Sequence, residues 1–161
     1  MGNAIKTKSA DEALQSLMRL CARGERSSGD ALRLMQRWGV PTADARKVLA
    51  RLERDRFIDD RRYTELYVRE KINLSGWGTY KIKMSLRRKG ISQAIIEEVA
   101  EPMFSPKDLQ ERLVELLSRK LPTIKAKSNY EARTKLIRFG ASRGFELDMV
   151  IECVNRIISE E

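Results

Sequence analysis

The sequence predicts an all-α fold of three tandem three-helix repeats. Three observations carry it: a glycine-punctuated pattern recurs, apolar residues between the glycines keep helical spacing, and no stretch of five or more residues alternates apolar and polar with β-branched enrichment. The pattern reads RWGVPTADARKVLARL from Arg37, RKGISQAIIEEVAE from Arg88 and SRGFELDMVIECVNRI from Ser142. Its glycines, Gly39, Gly90 and Gly144, lie 51 and 54 residues apart. Each is followed at once by an apolar residue (Val40, Ile91, Phe145), then by a second (Ala45, Ile96, Val150) and a third (Val48, Val99, Cys153) at matching offsets. A glycine ending a helix in the left-handed conformation, with an apolar contact residue behind it, explains the punctuation. The period exceeds the roughly 34 residues of a two-helix repeat and suits three helices.

The expected repeats cover residues 10–56, 57–104 and 105–161. In the first, helices are predicted over Asp11–Arg23, Gly29–Trp38 and Thr42–Arg54. Leu14, Leu17, Met18 and Cys21 fall on one helical face. Ser28 suits an N-cap, and Pro41-Thr42 a helix start. The second repeat gives Asp60–Asn73, Thr79–Lys89 and Ser92–Glu101, closed by Pro102. Its first helix is expected to bury Tyr63, Leu66 and Tyr67, and to carry Glu70 on the same face. The third gives Pro106–Leu121, Asn129–Arg143 and Leu147–Ile158, with Leu109, Leu113, Leu116 and Leu117 at helical spacing. Pro102 to Pro106 is a break between repeats, and Leu121–Ser128 is expected to be a basic exposed loop that Pro122 opens by ending the helix before it.

Composition excludes several chemistries. With no histidine there is no imidazole base, no His-dependent nucleophile and no imidazole zinc site. Cys21 and Cys153, each within an apolar helical pattern, are expected to be small buried hydrophobes. Asp59-Asp60 is the one adjacent acidic pair that invites a catalytic reading. Helical neighbours diverge by about 100°, so the pair is expected to cap a helix start instead. Gly76-Trp77-Gly78 lacks the frame of a phosphate-binding loop. No cofactor, metal site or catalytic residue is predicted. At 42% apolar and 34% charged residues, the chain is expected to be soluble, globular and cytoplasmic, without a membrane span or secretory signal.

Thirty-two Lys and Arg against 23 Asp and Glu leave a net charge of +9, which points to a polyanionic partner. The excess is clustered: nine basic residues against two acidic from Arg61 to Ser92, and seven against one from Arg119 to Arg138. On the middle helix of repeat two, Ile82 and Leu86 would face the core, leaving Lys81, Lys83, Arg87, Arg88 and Lys89 to form a basic surface. Arg33 and Arg37 hold the corresponding helix of repeat one, and Arg133, Lys135 and Arg138 that of repeat three. These ten residues are the candidate phosphate-tracking or acid-surface-tracking contacts. Trp77, between two glycines, is either a base-stacking or partner-anchoring aromatic or a ring folded back over the helices it connects; the second is the favoured reading. Trp38 is expected in the core.

The tract Phe57-Ile-Asp-Asp-Arg-Arg-Tyr63, then Val68-Arg69, Gly76 or Gly78, Ile82 and Leu86-Arg-Arg-Lys-Gly-Ile91 resembles the central signature of the RecX family of recombinase regulators. Arg26-Ser-Ser with Leu32 and Gly39 resembles its first repeat, and Arg138-Phe-Gly-Ala-Ser-Arg-Gly-Phe145 its third. Tyr63 stands where the family usually has Phe, and the tryptophan in the Ser75–Thr79 turn is unusual for it. The resemblance implies three three-helix repeats in an elongated, curved arrangement. It also implies a modulator of the RecA recombinase, active in DNA repair, recombination and the SOS response, that binds the RecA–DNA filament and inhibits ATPase and strand exchange. The expected partners are therefore that filament and the single- or double-stranded DNA within it, met by a monomer. The alternative is a sequence-tolerant DNA- or RNA-binding helical-repeat protein acting on nucleic acid alone.

Overall fold

In the computed structural model, which describes residues 7–158, all regular structure is helical and no strand occurs among those residues. The helices are α1 (Ala10–Arg23), α2 (Ser28–Arg37), α3 (Thr42–Arg54), α4 (Asp60–Asn73), α5 (Thr79–Arg88), α6 (Gln93–Ile95), α7 (Pro106–Lys120), α8 (Asn129–Ser142) and α9 (Leu147–Ile157). The expected helices occur within a residue or so of their predicted ends, except for that of α6.

There the chain widens into a π-helical turn at Ile96–Ala100 and tightens into a 3₁₀ turn at Glu101–Met103. Pro102 is the cause: it has no N–H to give, and its ring would crowd the carbonyl one turn earlier. The wide turn delays the buried face by one residue. Val99 is half-buried and Ala100 is fully buried in its place, whereas Val48 and Cys153 at the same offset are buried. Pro122 likewise sits inside a 3₁₀ turn, Leu121–Thr123, that prolongs α7 before the chain opens into the loop.

The punctuating glycines take φ values of 74°, 80° and 87°, the left-handed region that favours glycine. Behind them Val40, Ile91 and Phe145 are all buried. Several helix starts are secured by serines. Ser9 forms a reciprocal capping box with Glu12, and Ser105 and Ser128 accept from Asp108 and Glu131 N–H. The cap of α2 is Ser27 rather than the expected Ser28, because Ser28 is the first helical residue. On α4 the buried set is Tyr63, Thr64 and Val68, with Tyr67 half-buried; Leu66 and Glu70 face solvent. The expected face was rotated because Thr64, which satisfies its hydroxyl on the Asp60 carbonyl at 2.7 Å, does not read as a core residue.

By contact the chain divides into two compact units. Among the described residues, unit one comprises those up to Leu66 with Leu86–Val99, and unit two Tyr67–Ser85 with those from Ala100, so residues of the expected middle repeat fall in both. In unit one α3 packs on α1 and α2 around Leu17, Met35, Val48, Leu52 and Ile58, with Trp38 against that core. In unit two α7, α8 and α9 surround Leu113, Leu117, Leu136, Val150 and Cys153. Each fully buried aliphatic side chain in these clusters contributes about 1.5–3 kcal/mol.

Both units contain the same joint. In unit one the start of α2 lies on the glycine turn after α5: the Ser27 hydroxyl donates to the Lys89 carbonyl at 2.8 Å, and Gly29 meets Gly90 backbone to backbone. In unit two the start of α5 lies on the turn after α8. Gly78 N–H donates to the Arg143 carbonyl at 2.8 Å, and Tyr80 N–H to the Gly144 carbonyl at 2.9 Å. The corresponding turn after α2 is met by the segment before α1, where Lys8 N–H donates to the Trp38 carbonyl at 2.9 Å.

Candidate nucleic-acid interface

The joints fix the glycine turn that ends each middle helix, and the ion pairs and ring contacts along those helices decide which basic side chains are available. In unit one, Arg33 and Arg37 project from α2 into solvent. With Arg26 they line an open groove of about 680 Å³ that also presents Asp30, Leu34 and Gln36. Arg87 and Arg88 are exposed at the end of α5, where the Arg87 Nε donates to the Gln93 side chain at 3.3 Å. Lys89 is committed within the protein: it faces Asp30 at 3.8 Å and lies over the Tyr63 ring at 6.0 Å.

In unit two the arrangement is more internal. Lys83 is ion-paired with Glu101 and lies over the Phe104 ring at 5.8 Å. Lys81 lies 4.5 Å from the centre of Trp77, and Lys71 reaches the same ring at 4.7 Å. Arg133 is half-buried and directs a guanidinium nitrogen at the Ile158 carbonyl, 3.5 Å away. Lys135 pairs with Glu131 at 3.0 Å and donates to the Lys125 carbonyl. Arg138 is exposed on α8.

The ten candidates therefore separate into four arginines presented to solvent (Arg33, Arg37, Arg88, Arg138), Arg87, which is exposed but bonded to Gln93, and five residues with internal partners (Lys81, Lys83, Lys89, Arg133, Lys135). Charge counting could not make that distinction for Lys89 and Lys83, because their partners Asp30 and Glu101 come from elsewhere in the chain. Arg26 and Lys71 were missed. Arg26 falls in a capping turn, but stands two helical turns ahead of Arg33. Lys71 follows Tyr67 by four residues and lies 5.3 Å from its ring.

The acidic pair near α4 has two separate tasks. Asp59 accepts from the N–H groups of Arg61 and Arg62 at 3.0 and 3.1 Å, capping the helix. Asp60 instead accepts from the Ser28 N–H at 2.8 Å and from its hydroxyl, tying the start of α4 to that of α2. Burial pushes both thiols up, Cys21 and Cys153 alike, which favours the protonated form and disfavours nucleophilic use. Cys153 is buried as expected, but Cys21 is half-buried. Among the described residues no three or more Cys, Asp or Glu gather to hold a metal ion, and no helix is long and apolar enough to cross a membrane.

Residues 59–99 match the family model of the second three-helix domain of RecX, and residues 107–154 that of the third. The regulatory protein RecX of Chlorobium phaeobacteroides (strain BS1) is 30% identical over 146 residues, covering 91% of this chain and 93% of that protein. The chain belongs to the RecX family. Regulatory protein RecX of Haemophilus influenzae (strain PittEE) is 28% identical over 149 residues, 92% of this chain and 96% of the relative. RecX proteins also come longer: the match to that of Clostridium botulinum (strain Eklund 17B / Type B), 29% identical, spans 54% of its length. The fold agrees with two crystal structures. RecX from Lactobacillus salivarius superposes with a TM-score of 0.79 at 20% identity, over 92% of this chain and 96% of that one. A second regulatory protein RecX gives 0.80 at 22%, over 94% and 73%. The resemblance read from the Phe57–Ile91 tract is thereby established as membership, and the all-α helical-repeat fold with it.

Proposed function

We propose that this chain is a non-catalytic, cytoplasmic regulator of the RecA recombinase that binds the RecA–DNA filament as a monomer and inhibits its ATPase and strand exchange. Family membership over nearly the whole length of a relative named as a regulatory protein is the observation that carries this reading. The exposed arginines support it. They lie on α2, α5 and α8, the middle helices of the expected repeats, so contacts that are individually weak can add along a repetitive partner. Arginine is suited to this task because its planar fork engages phosphates and carboxylates bidentately.

The test is RecA-dependent ATP hydrolysis on single-stranded DNA with the protein added at micromolar concentration. Inhibition that deepens with concentration is expected, and an unchanged hydrolysis rate defeats the proposal. A second reading, direct binding to nucleic acid alone, is favoured by the groove lined by Arg26, Arg33 and Arg37. Retention of labelled DNA in the absence of RecA distinguishes it.

A further inference from the structure

Trp77 occupies an unusual setting for a large aromatic residue. Neither core cluster of the described residues includes it. Its backbone is nevertheless fixed on both sides: the Trp77 N–H donates to the Lys71 carbonyl at 3.0 Å, and the next residue, Gly78, donates to the Arg143 carbonyl at 2.8 Å. A side chain on Gly78 would strike the backbone of Phe145 at 2.4 Å, so the turn is seated directly on the chain beneath it. The ring is half-buried, and the ammonium groups of two half-buried lysines lie over it, Lys71 at 4.7 Å and Lys81 at 4.5 Å. Lys71 also lies 5.3 Å from the Tyr67 ring, whose hydroxyl bonds to Ser85. Aromatic and cation thus alternate in the order Tyr67, Lys71, Trp77, Lys81.

We propose that Trp77 with Lys71 and Lys81 forms a binding site for single-stranded nucleic acid, in which the ring takes a base and the ammonium groups take the flanking phosphates. A single strand is the polymer that alternates unstacked planar bases with anionic phosphates, and the row matches it in both kind and order. The cations have two alternative uses. Without ligand they rest on the electron-rich ring; with ligand a phosphate draws them off and frees a ring face. Stacking of a base on the freed face, together with ion pairing of both lysines to phosphate, offsets the loss of the two cation–ring contacts, so the exchange favours the strand. A duplex keeps its bases stacked and can use only the lysines. The site deepens the proposed function, since it rests on contact with the DNA of the filament, but it can be tested without RecA.

The protein has two tryptophans, so a Trp38→Phe variant leaves Trp77 as the sole tryptophan, and its emission is read with excitation selective for tryptophan. Oligothymidylate is expected to quench that emission saturably, and an abasic strand of the same length to quench it much less. In the otherwise native chain, Trp77→Ala should lower affinity for oligothymidylate about tenfold and affinity for a duplex less than twofold, while Trp77→Phe retains most of the binding. Equal quenching by the abasic strand, or equal loss of single-strand and duplex binding in Trp77→Ala, overturns the proposal. Thermal melts show whether each variant is folded, and the Trp77→Phe comparison decides the matter if Trp38→Phe is not. Failure of the native protein to inhibit RecA would defeat the filament reading and leave these oligonucleotide results standing.

Discussion

Gly29 and Gly90 touch through their backbones: a side-chain carbon built on Gly29 would lie 2.8 Å from the Gly90 Cα and 2.3 Å from the Lys89 carbonyl oxygen. Neither neighbour is a flexible side chain that could move aside. Gly78 repeats the relationship in unit two, where an added carbon would lie 2.5 Å from the Gly144 carbonyl oxygen. Gly29→Ala and Gly78→Ala should each destabilise the protein by about 1–3 kcal/mol or more, the usual cost of forcing extra volume into packed structure. Gly24→Ala is the control, because nothing lies within 4 Å of its position. Urea unfolding of the three variants is the measurement, and equal midpoints would remove the joint as a source of stability.

Ser27 holds the same joint in a second way. It is fully buried, accepts from the Asp30 N–H at 3.1 Å and donates to the Lys89 carbonyl at 2.8 Å. Ser27→Ala loses a helix cap and takes from the part-buried Lys89 carbonyl its hydroxyl donor. A cost of about 2–3 kcal/mol is expected, above that of a cap alone. Ser105→Ala, which removes a cap at an exposed helix start, should cost about 1 kcal/mol in the same titration.

How far the sequence could be read depended on the range of the interaction. Helix positions follow from i to i+4 spacing and from glycine, proline and serine punctuation, all local, and apart from the end of α6 they were legible to within about a residue. The buried offsets behind Gly39, Gly90 and Gly144 were legible for the same reason, and failed only at Val99, where a proline three residues ahead changes the helix type. The joints were not legible. Nothing near Gly29 in sequence says that Lys89 lies against it, and nothing near Lys83 says that Glu101 neutralises it. Charge clusters therefore indicated the sign of a surface without showing which members face outward.

Arg56 is the one residue other than glycine with positive φ among those described, at 60°. It ends α3 in the left-handed conformation, where a side-chain carbon crowds the following carbonyl. Arg56→Gly relieves that strain without disturbing the Arg62 contact, which is made to the Arg56 backbone carbonyl at 3.1 Å. A gain of about 1 kcal/mol is expected, read as a higher urea midpoint with unchanged slope.

Glu131 should give stability a dependence on acid. The Lys127 N–H, 3.1 Å from its carboxylate, and then the Lys135 ammonium hold its carboxyl below the ordinary 4.5. A carboxylate favoured in the folded state contributes stability that is present above its unfolded pKa and lost as pH falls through its folded one. Glu131→Gln should therefore lower the melting temperature near neutral pH, and the two proteins should converge as the pH is brought below 4.5. A difference that persists undiminished in acid would mean that the loop before α8 is held by packing instead.

Salt dependence will show which arginines meet phosphate. Each phosphate neutralised on a duplex releases condensed counterions, so the logarithm of affinity falls with the logarithm of salt concentration by about 0.9 for every contact. Arg33 and Arg37 are exposed on one face of α2 and line one groove, with no ion pair to a described residue. Replacing both with Gln should lower the slope by about 2 while leaving stability within about 0.5 kcal/mol. Lys83→Gln makes the contrast. Because Lys83 is paired with Glu101, its loss should alter the slope little and stability more. If instead the Lys83 variant flattens the slope and the double arginine variant does not, the nucleic-acid surface lies on α5 of unit two, and the Glu101 pair opens when DNA binds.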